Sequence, residues 1–582
     1  MRIICFGALY LILIINHRVA QLLNELRVVS RPPSQAPIAE VSASVKSETD
    51  QLQAVLLRSF QQWVSVFQRS SSPEKAFVPY ITQLTKQGIL KAEDVSSFFF
   101  RVCAESSINH YTKCVAVKDV DNEYLALDAM SRLIVYIIKY HGDASGANNL
   151  QAKVHYFTKI LSIVVLVVAN KHEEQGPAFQ QKPFFRFFSS LLSDMHAIEA
   201  SLGNAYFHLL IALSDTFSSL QPVYFPGFAF SWMTLISHRL FMPKLLLSEN
   251  REGWSAFHKL LLALFKFLSP FLRTANMTEG SRNLYRGTLR LLLVLLHDFS
   301  DFLGEYYFTL CDVIPPRCIQ LRNIVLSAFP ASIILPDPHL RGVKFDSIPE
   351  MGPIPPILTD FSVLKNGDLK AYLDQCLLNR MTPTSLAALK DRLRTPGGPG
   401  EENYNLGLMN AVVMYIGVSS VAQAKARSGS SLFTPTDPGV VALTYLAVNL
   451  DPEGKSGLGS TIHCLVANPY DIGQHHLLNA MILHLRYPNA HTHWFSSLML
   501  YLFAEVKDER FREIMTKVLL ERFVVHRPHP WGALVTFIEL VRNPKYEFWN
   551  KDFIRVAPEV TAMLEGVCQT ISPSSINART KE

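Results

Sequence analysis

The sequence predicts an all-α protein, an irregular HEAT-like array of helix pairs crossed by one Pro-rich extended strap. Three observations carry that expectation. From Gln51 onward, apolar residues recur with a 3.6-residue period in segment after segment. Stretches that alternate apolar and polar residues between hairpin turns are almost absent. The chain has 582 residues and is 49% hydrophobic, enough for a long core. No strict internal repeat is visible, which favours an irregular stack of αα-hairpins over a consensus solenoid.

Residues 1–50 stand apart. Arg2 precedes an apolar run, Ile3–Ile15, followed by Asn16-His17-Arg18. The run is too short to span a bilayer, and no small-x-small cleavage site follows, so it reads as a non-native-looking start and not a signal peptide. Ser30–Asp50 is small, polar and Pro-containing, the composition of a flexible linker. The first helical block is expected over 51–329. Leu52, Val55, Leu56, Phe60, Trp63, Val64 and Phe67 share one helical face. Lys86-Gln87-Gly88 is a helix stop, and Asp94 suits an N-cap for Val95–Ala104. Further periodic segments lie near Glu123–Tyr140, Leu150–Asn170, Phe184–Ile198, Ala205–Leu220, Phe228–Leu240, Trp254–Phe271 and Tyr285–Phe302. The apolar runs Ile160–Ala169 and Leu289–Leu296 have the length of buried helices, not membrane spans.

Residues 330–360 hold Pro330, Pro336, Pro338, Pro349, Pro353, Pro355 and Pro356. Fixed φ angles and missing N–H donors exclude a long helix there and predict an extended strap between two helical blocks. The second block is expected over 361–568, with loops at Thr395–Asn403 and Ser428–Gly439 and a disordered tail at 569–582. Its densest punctuation is Ile514–Asn550. Leu519, Leu520, Phe523 and Val524 make one helical face, Pro528 and Pro530 end it, and Pro530 suits the start of the next helix. Trp531, Leu534, Val535, Ile538 and Val541 make the second face, Asn543-Pro544 stops it, and Phe548 and Trp549 follow as anchors. Trp531 is expected to be buried between the two helices.

Composition narrows the function classes. The 55 basic and 49 acidic residues leave a net charge of +6. Spread over this length without a basic block, that argues against a dedicated nucleic-acid surface. The eight cysteines form no CxxC pair, which points to a reducing compartment without a disulfide framework. Gly454-Lys455-Ser456 resembles the end of a phosphate-binding loop, but Asn449 stands where that loop needs Gly and no strand precedes it. Histidines pair at His475-His476, His491/His493 and His526/His529 without carboxylates or thiolates at ligand spacing, so structural roles outweigh a metal site. Glu401-Glu402 and Asp298/Asp301 read as solvated acids, and no GxSxG, HExxH or nuclease carboxylate set appears. The residues therefore point to no catalytic group, cofactor or metal.

Several long segments carry a resemblance. Glu521–Trp549 (ERFVVHRPHPWGALVTFIELVRNPKYEFW) is similar to the signature of the Not-one family, the scaffold subunit of the CCR–NOT mRNA deadenylase complex. Leu477–Glu505, Leu284–Pro330, Ser237–Leu246 and Leu335–Pro338 resemble the same family in the same order, and the likeness extends over roughly Gln51 to Cys568. Family proteins are much longer, so the chain resembles their C-terminal part. By that resemblance, Arg527, Pro528, His529, Pro530, Trp531, Tyr487, Pro488, His491, His493, Phe548 and Trp549 are motif residues with structural or partner-docking roles. Also by resemblance, Lys455–Gly473 is an insertion: a surface loop or, preferred here, a short intron translated in frame. The family implies a non-catalytic scaffold that docks the Not-two and Not-three/five type subunits. Other subunits would bind through a missing N-terminal part. The implied roles are poly(A) shortening, translational repression and transcriptional regulation, in cytoplasm and nucleus, with no membrane. The competing class is a helical-solenoid RNA-binding protein, which would need a basic groove with stacking aromatics.

Overall fold

The computed structural model describes residues 38–141, 149–273, 277–339, 348–359, 361–365, 368–379, 382–395, 403–450, 473–555 and 558–571. The chain divides into two compact units, Met1–Leu264 and Phe265–Glu582.

In the first unit the α-helices of five or more residues are α1 (Ile38–Arg69), α2 (Pro73–Lys86), α3 (Glu93–Val117), α4 (Leu125–Tyr140), α5 (Asn149–Gln175), α6 (Lys182–Ala197), α7 (Ala205–Ser219), α8 (Ala229–Ile236) and α9 (Met242–Leu246). They stack in two layers: α1 on α3 on α5 on α7, and α2 on α4 on α6 on α8. Packing of each helix on the second one along is what successive αα-hairpins produce. The apolar stripes supply the contact. In α6, Phe184, Phe187, Phe188, Leu191, Leu192 and Met195 recur at helical spacing and are all buried. Trp63 is fully buried, and its Nε1 donates to the Ala129 carbonyl at 2.7 Å, so the indole brings no unpaired donor into the core.

Local readings shift in this unit. The linker reading fails for Ile38–Asp50, which belongs to α1. No proline follows Pro37 there, and extending an existing amphipathic helix is far easier than nucleating one. Helix α3 is much longer than Val95–Ala104 and begins at Glu93 after the N-cap Ala92. Asp94 thus lies in the first turn, where its carboxylate favours the positive helix end. The stop after α2 is as read: Gly88 has φ +76° and its N–H donates to the Thr85 carbonyl at 3.1 Å.

In the second unit, the boundary falls inside α10 (Trp254–Leu272), and α11 (Glu279–Asp298), α12 (Ser300–Val313) and α13 (Ile319–Leu326) follow. The single segment Tyr285–Phe302 is two helices, because Phe299 (φ −137°, ψ 43°) leaves the helical region. After the strap come α14 (Leu369–Leu378), α15 (Pro383–Arg392), α16 (Leu406–Ser428), α17 (Pro438–Asn449), α18 (Gly473–Ile482), α19 (Ala490–Glu505), α20 (Glu509–Glu521), α21 (Trp531–Arg542) and α22 (Pro558–Ile571). Helix α16 packs on α18 and α18 on α20, while α16 also packs on α19 and α19 on α21. The described edges of the 395–403 loop form a two-residue antiparallel pairing, Arg394 with Tyr404 and Thr395 with Asn403. The expected tail loses Gln569–Ile571 to α22. Residues 451–472 lie outside the described residues. Gly473, counted with the insertion, opens α18 and is buried against Tyr404, where a Cβ would come within 2.6 Å of the ring.

Three helices are long and apolar enough to cross a bilayer by length and composition alone: Asn149–Ala178, Trp254–Leu272 and Leu406–Ser428. The first of them contains the run Ile160–Ala169 and is much longer than that run. The last of them has Met409, Val412, Val413, Ile416 and Val421 buried and packs on α18 and α19.

The described parts of the strap hold no helix beyond the 3-10 turn Pro349–Met351, with turns at 331–332 and 338–339 and a bend at 352–353. The strap lies within the second unit instead of marking the division. Its free backbone groups are used as anchors. Leu358 N–H donates to Glu305 O at 3.0 Å, and Pro353 O accepts from Ala490 N–H at 2.9 Å. Lys425 Nζ donates to Gly352 O.

Candidate functional site

The motif residues gather in two places in the second unit. The first is the α18–α19 corner, which is entirely interior. Asn489 caps α19 by accepting from the N–H groups of His491 and Thr492, each at 3.0 Å, and its Nδ2 donates to Tyr487 O at 2.6 Å. Thr492 Oγ1 donates to His484 O at 2.9 Å and accepts from Arg486 N–H at 3.2 Å. Arg486 is 1% exposed, donates from Nη1 to Gly304 O at 2.7 Å, and holds its guanidinium 3.6 Å over the Tyr307 ring. Tyr487, Pro488, His491 and His493 are all buried here. His493 Nδ1 pairs with Ser431 Oγ at 2.7 Å. His491 has no hydrogen-bond partner on either ring nitrogen, and burial, then Arg486 and Lys425, pushes its pKa down to about 3. It is a neutral core imidazole. Among the described residues, no three His, Cys, Asp or Glu side chains converge as a metal set.

The second place is the Pro-rich turn. Helix α20 ends at Glu521, and Arg522 turns its side chain inward, where Nη2 donates to Asn479 Oδ1 at 3.0 Å. Asn323 Nδ2 in turn donates to Arg522 O at 2.6 Å, satisfying a terminal carbonyl. Leu519, Leu520 and Phe523 are buried as read from the sequence, but Val524 is 75% exposed because the helix has already ended. Arg527 precedes Pro528 through a cis peptide bond and is exposed, whereas Pro530 is buried and precedes α21.

Along α21, Ala533, Thr536, Phe537 and Leu540 are the most buried, while Leu534, Val535 and Val541 are half-buried. The predicted face is rotated because α21 is covered on two sides. One side packs on α19; the other carries the strap. Trp531 is 6% exposed, and its cluster partners are Ile348 and Met351, with Leu335 and Val535 beside them, rather than α20. Its Nε1 donates to Pro336 O at 2.8 Å. Phe548 is buried about 6.2 Å from both the Phe503 and Phe537 rings, and Trp549 is half-buried at its edge. The two places meet where Gly532 N–H donates to Arg486 O at 2.5 Å.

Between the turn, the strap and α22 lies a cleft of about 750 Å³. Pro338 and His339 come from the strap, Phe523, Val524, Arg527 and His529 from the turn, Leu534 from α21, and Gly566 and Val567 from α22. The Nδ1 atoms of His339 and His529 are buried without a hydrogen-bond partner. Burial, with Arg527 adding, keeps His529 below the usual imidazole range. An apolar cleft with one exposed guanidinium at its rim suits an extended peptide, whose apolar side chains would fill the cleft.

Sequence reasoning found Arg527 and His529 but missed His339, Gly566 and Val567, which come from distant segments. It also missed Asn489, although Asn before an apolar helix is a recognisable start signal.

The comparisons with known proteins agree with this architecture. The model of the family described as CCR4-Not complex component, Not1, matches residues 192–568. The chain is 32% identical over 575 residues to CCR4-NOT transcription complex subunit let-711 of Caenorhabditis elegans, covering 94% of this chain and 21% of that protein. It is 30% identical over 554 residues to general negative regulator of transcription subunit 1 of Schizosaccharomyces pombe, covering 94% and 25%. The chain thus spans only a fifth to a quarter of these curated relatives. A solved NOT1 superfamily homology domain from Chaetomium thermophilum is 27% identical, with a TM-score of 0.80 over 90% of this chain and 100% of that one. A solved Not1 C-terminal domain in complex with Not4 is 25% identical, with a TM-score of 0.73 over 88% and 99%. The chain therefore belongs to the Not1 family of CCR4-Not complex components.

Proposed function

We propose that this chain is a non-catalytic scaffold module of the mRNA deadenylase complex. It docks Not-two and Not-three/five type subunits and a Not4-type partner, and contributes to poly(A) shortening, translational repression and transcriptional regulation in cytoplasm and nucleus. Other subunits bind parts of the scaffold beyond this chain, and catalysis resides in separate deadenylase subunits. The observation that carries the reading is the likeness, over most of this chain, to a Not1 C-terminal domain solved in complex with Not4. The cleft beside the Pro-rich turn supports it physically, because stacked helix pairs can receive an extended chain without refolding.

The test is co-expression of the tagged chain with each candidate subunit, followed by capture. The unaltered chain is expected to retain them. Val524→Asp combined with Arg527→Glu, both on exposed residues, is expected to lose at least one while melting normally. Capture of none of the subunits by the unaltered chain, together with salt-steep binding of RNA, would replace the scaffold reading by the RNA-binding one.

A further inference from the structure

We propose that the outward face of α11 is a docking surface for an acidic amphipathic helix of a partner protein. Arg282, Arg286 and Arg290 follow one another at four-residue intervals and are all exposed. Successive guanidinium stems therefore stand about 6 Å apart along one side of the helix. Leu293 (46% exposed) and Val294 (42% exposed) continue the same side. At about 100° per residue, these five positions fall within an arc of about 120°. The opposite arc carries the buried Leu284, Thr288, Leu291, Leu292 and Leu295.

Charge on this face is unbalanced. Exposed Glu279, in the first turn, is the one acid on this arc; from there to Asp298 the helix contains no acidic residue, and Asp298 is engaged with His297 at 2.6 Å. Among the described residues none of the three arginines has a carboxylate partner. Arg282 Nη2 reaches only the Met277 carbonyl, at 3.3 Å. A solvated helix usually interleaves acids at four-residue spacing, whereas like charges at that spacing repel. A basic ladder running into two exposed aliphatics is complementary to a second helix with carboxylates one turn apart and an apolar pair beyond them. Single-stranded RNA fits less well, because His297 is the one exposed ring on the arc for base stacking and Leu293 and Val294 would be left without a partner. The proposal stands whether or not the cleft at the Pro-rich turn is used.

The probe is a fluorescent synthetic helical peptide with Glu at four-residue intervals on one face and a leucine pair at each end of that face. Anisotropy is measured with the whole chain. Binding is expected to fall steeply with salt and to weaken roughly tenfold or more in the Arg282→Glu/Arg286→Glu/Arg290→Glu variant. The same variant should bind the Lys version of the peptide, which also shows that it is folded. Leu293→Ser should weaken binding with little change in salt dependence. Equal binding of a scrambled peptide of the same composition would overturn the proposal. So would tighter binding of oligo(A) or oligo(U) RNA that the same charge reversal abolishes.

Discussion

Trp531 ties the strap to the second unit, and its truncation should both destabilise that unit and free the strap. The side chain is 6% exposed, packed on Ile348 and Met351, and hydrogen-bonded to the Pro336 carbonyl. Removing the indole in Trp531→Ala forfeits its buried apolar surface and leaves a cavity, an expected loss of about 3–5 kcal/mol. Trp531→Phe keeps most of the ring burial and loses chiefly the 2.8 Å bond from Nε1. A neutral hydrogen bond of this kind contributes about 0.5–1.5 kcal/mol net, so the Phe variant should lose about 1 kcal/mol. Urea denaturation followed by far-UV circular dichroism gives the two values. Limited proteolysis with fragment mapping reads the strap separately, and cleavage within residues 331–359 should accelerate in the order wild type, Phe, Ala. A loss below about 1 kcal/mol for Trp531→Ala would refute the burial argument. A full loss with unchanged strap cleavage would refute the tether and place the stabilisation inside α21.

Two further outcomes follow from the interior corner. His491 is held neutral with a pKa near 3, below the ordinary imidazole value, so the unfolded chain binds the extra proton. Its contribution is complete above about pH 6.5 and is lost as pH falls towards 3, at about 2 kcal/mol between pH 7 and pH 5. Thermal unfolding across that range should be markedly less pH-dependent in His491→Leu than in the parent, and parallel profiles would contradict the assignment. At Gly532 an added Cβ would sit 2.6 Å from Thr492 Cγ2 and 2.7 Å from the Leu485 carbonyl carbon. Gly532→Ala should therefore cost about 1–3 kcal/mol through overpacking, and an unchanged urea midpoint would show that the corner can relax.

How much was legible in the sequence varies with the range of the interactions involved. The helical array, most helix positions and the extended strap followed from local signals: apolar periodicity, proline density and the absence of strand alternation. The family motifs were legible as well, because Glu521–Trp549 and Leu477–Glu505 are long and collinear. Only the tertiary structure sorted the motif residues by role. His491 and His493 look alike in sequence, yet one is unpaired in the core and the other pairs with Ser431, 62 residues away. Trp531 was expected between two adjacent helices and instead meets Pro336, 195 residues away. Val524 continues an apolar stripe in sequence and lies on the surface because α20 stops at Glu521. Periodicity reports which side of a helix is apolar, since that depends on neighbours three and four residues apart. What covers that side is decided when distant segments pack together, and the cleft at the turn exists only because three such segments meet there.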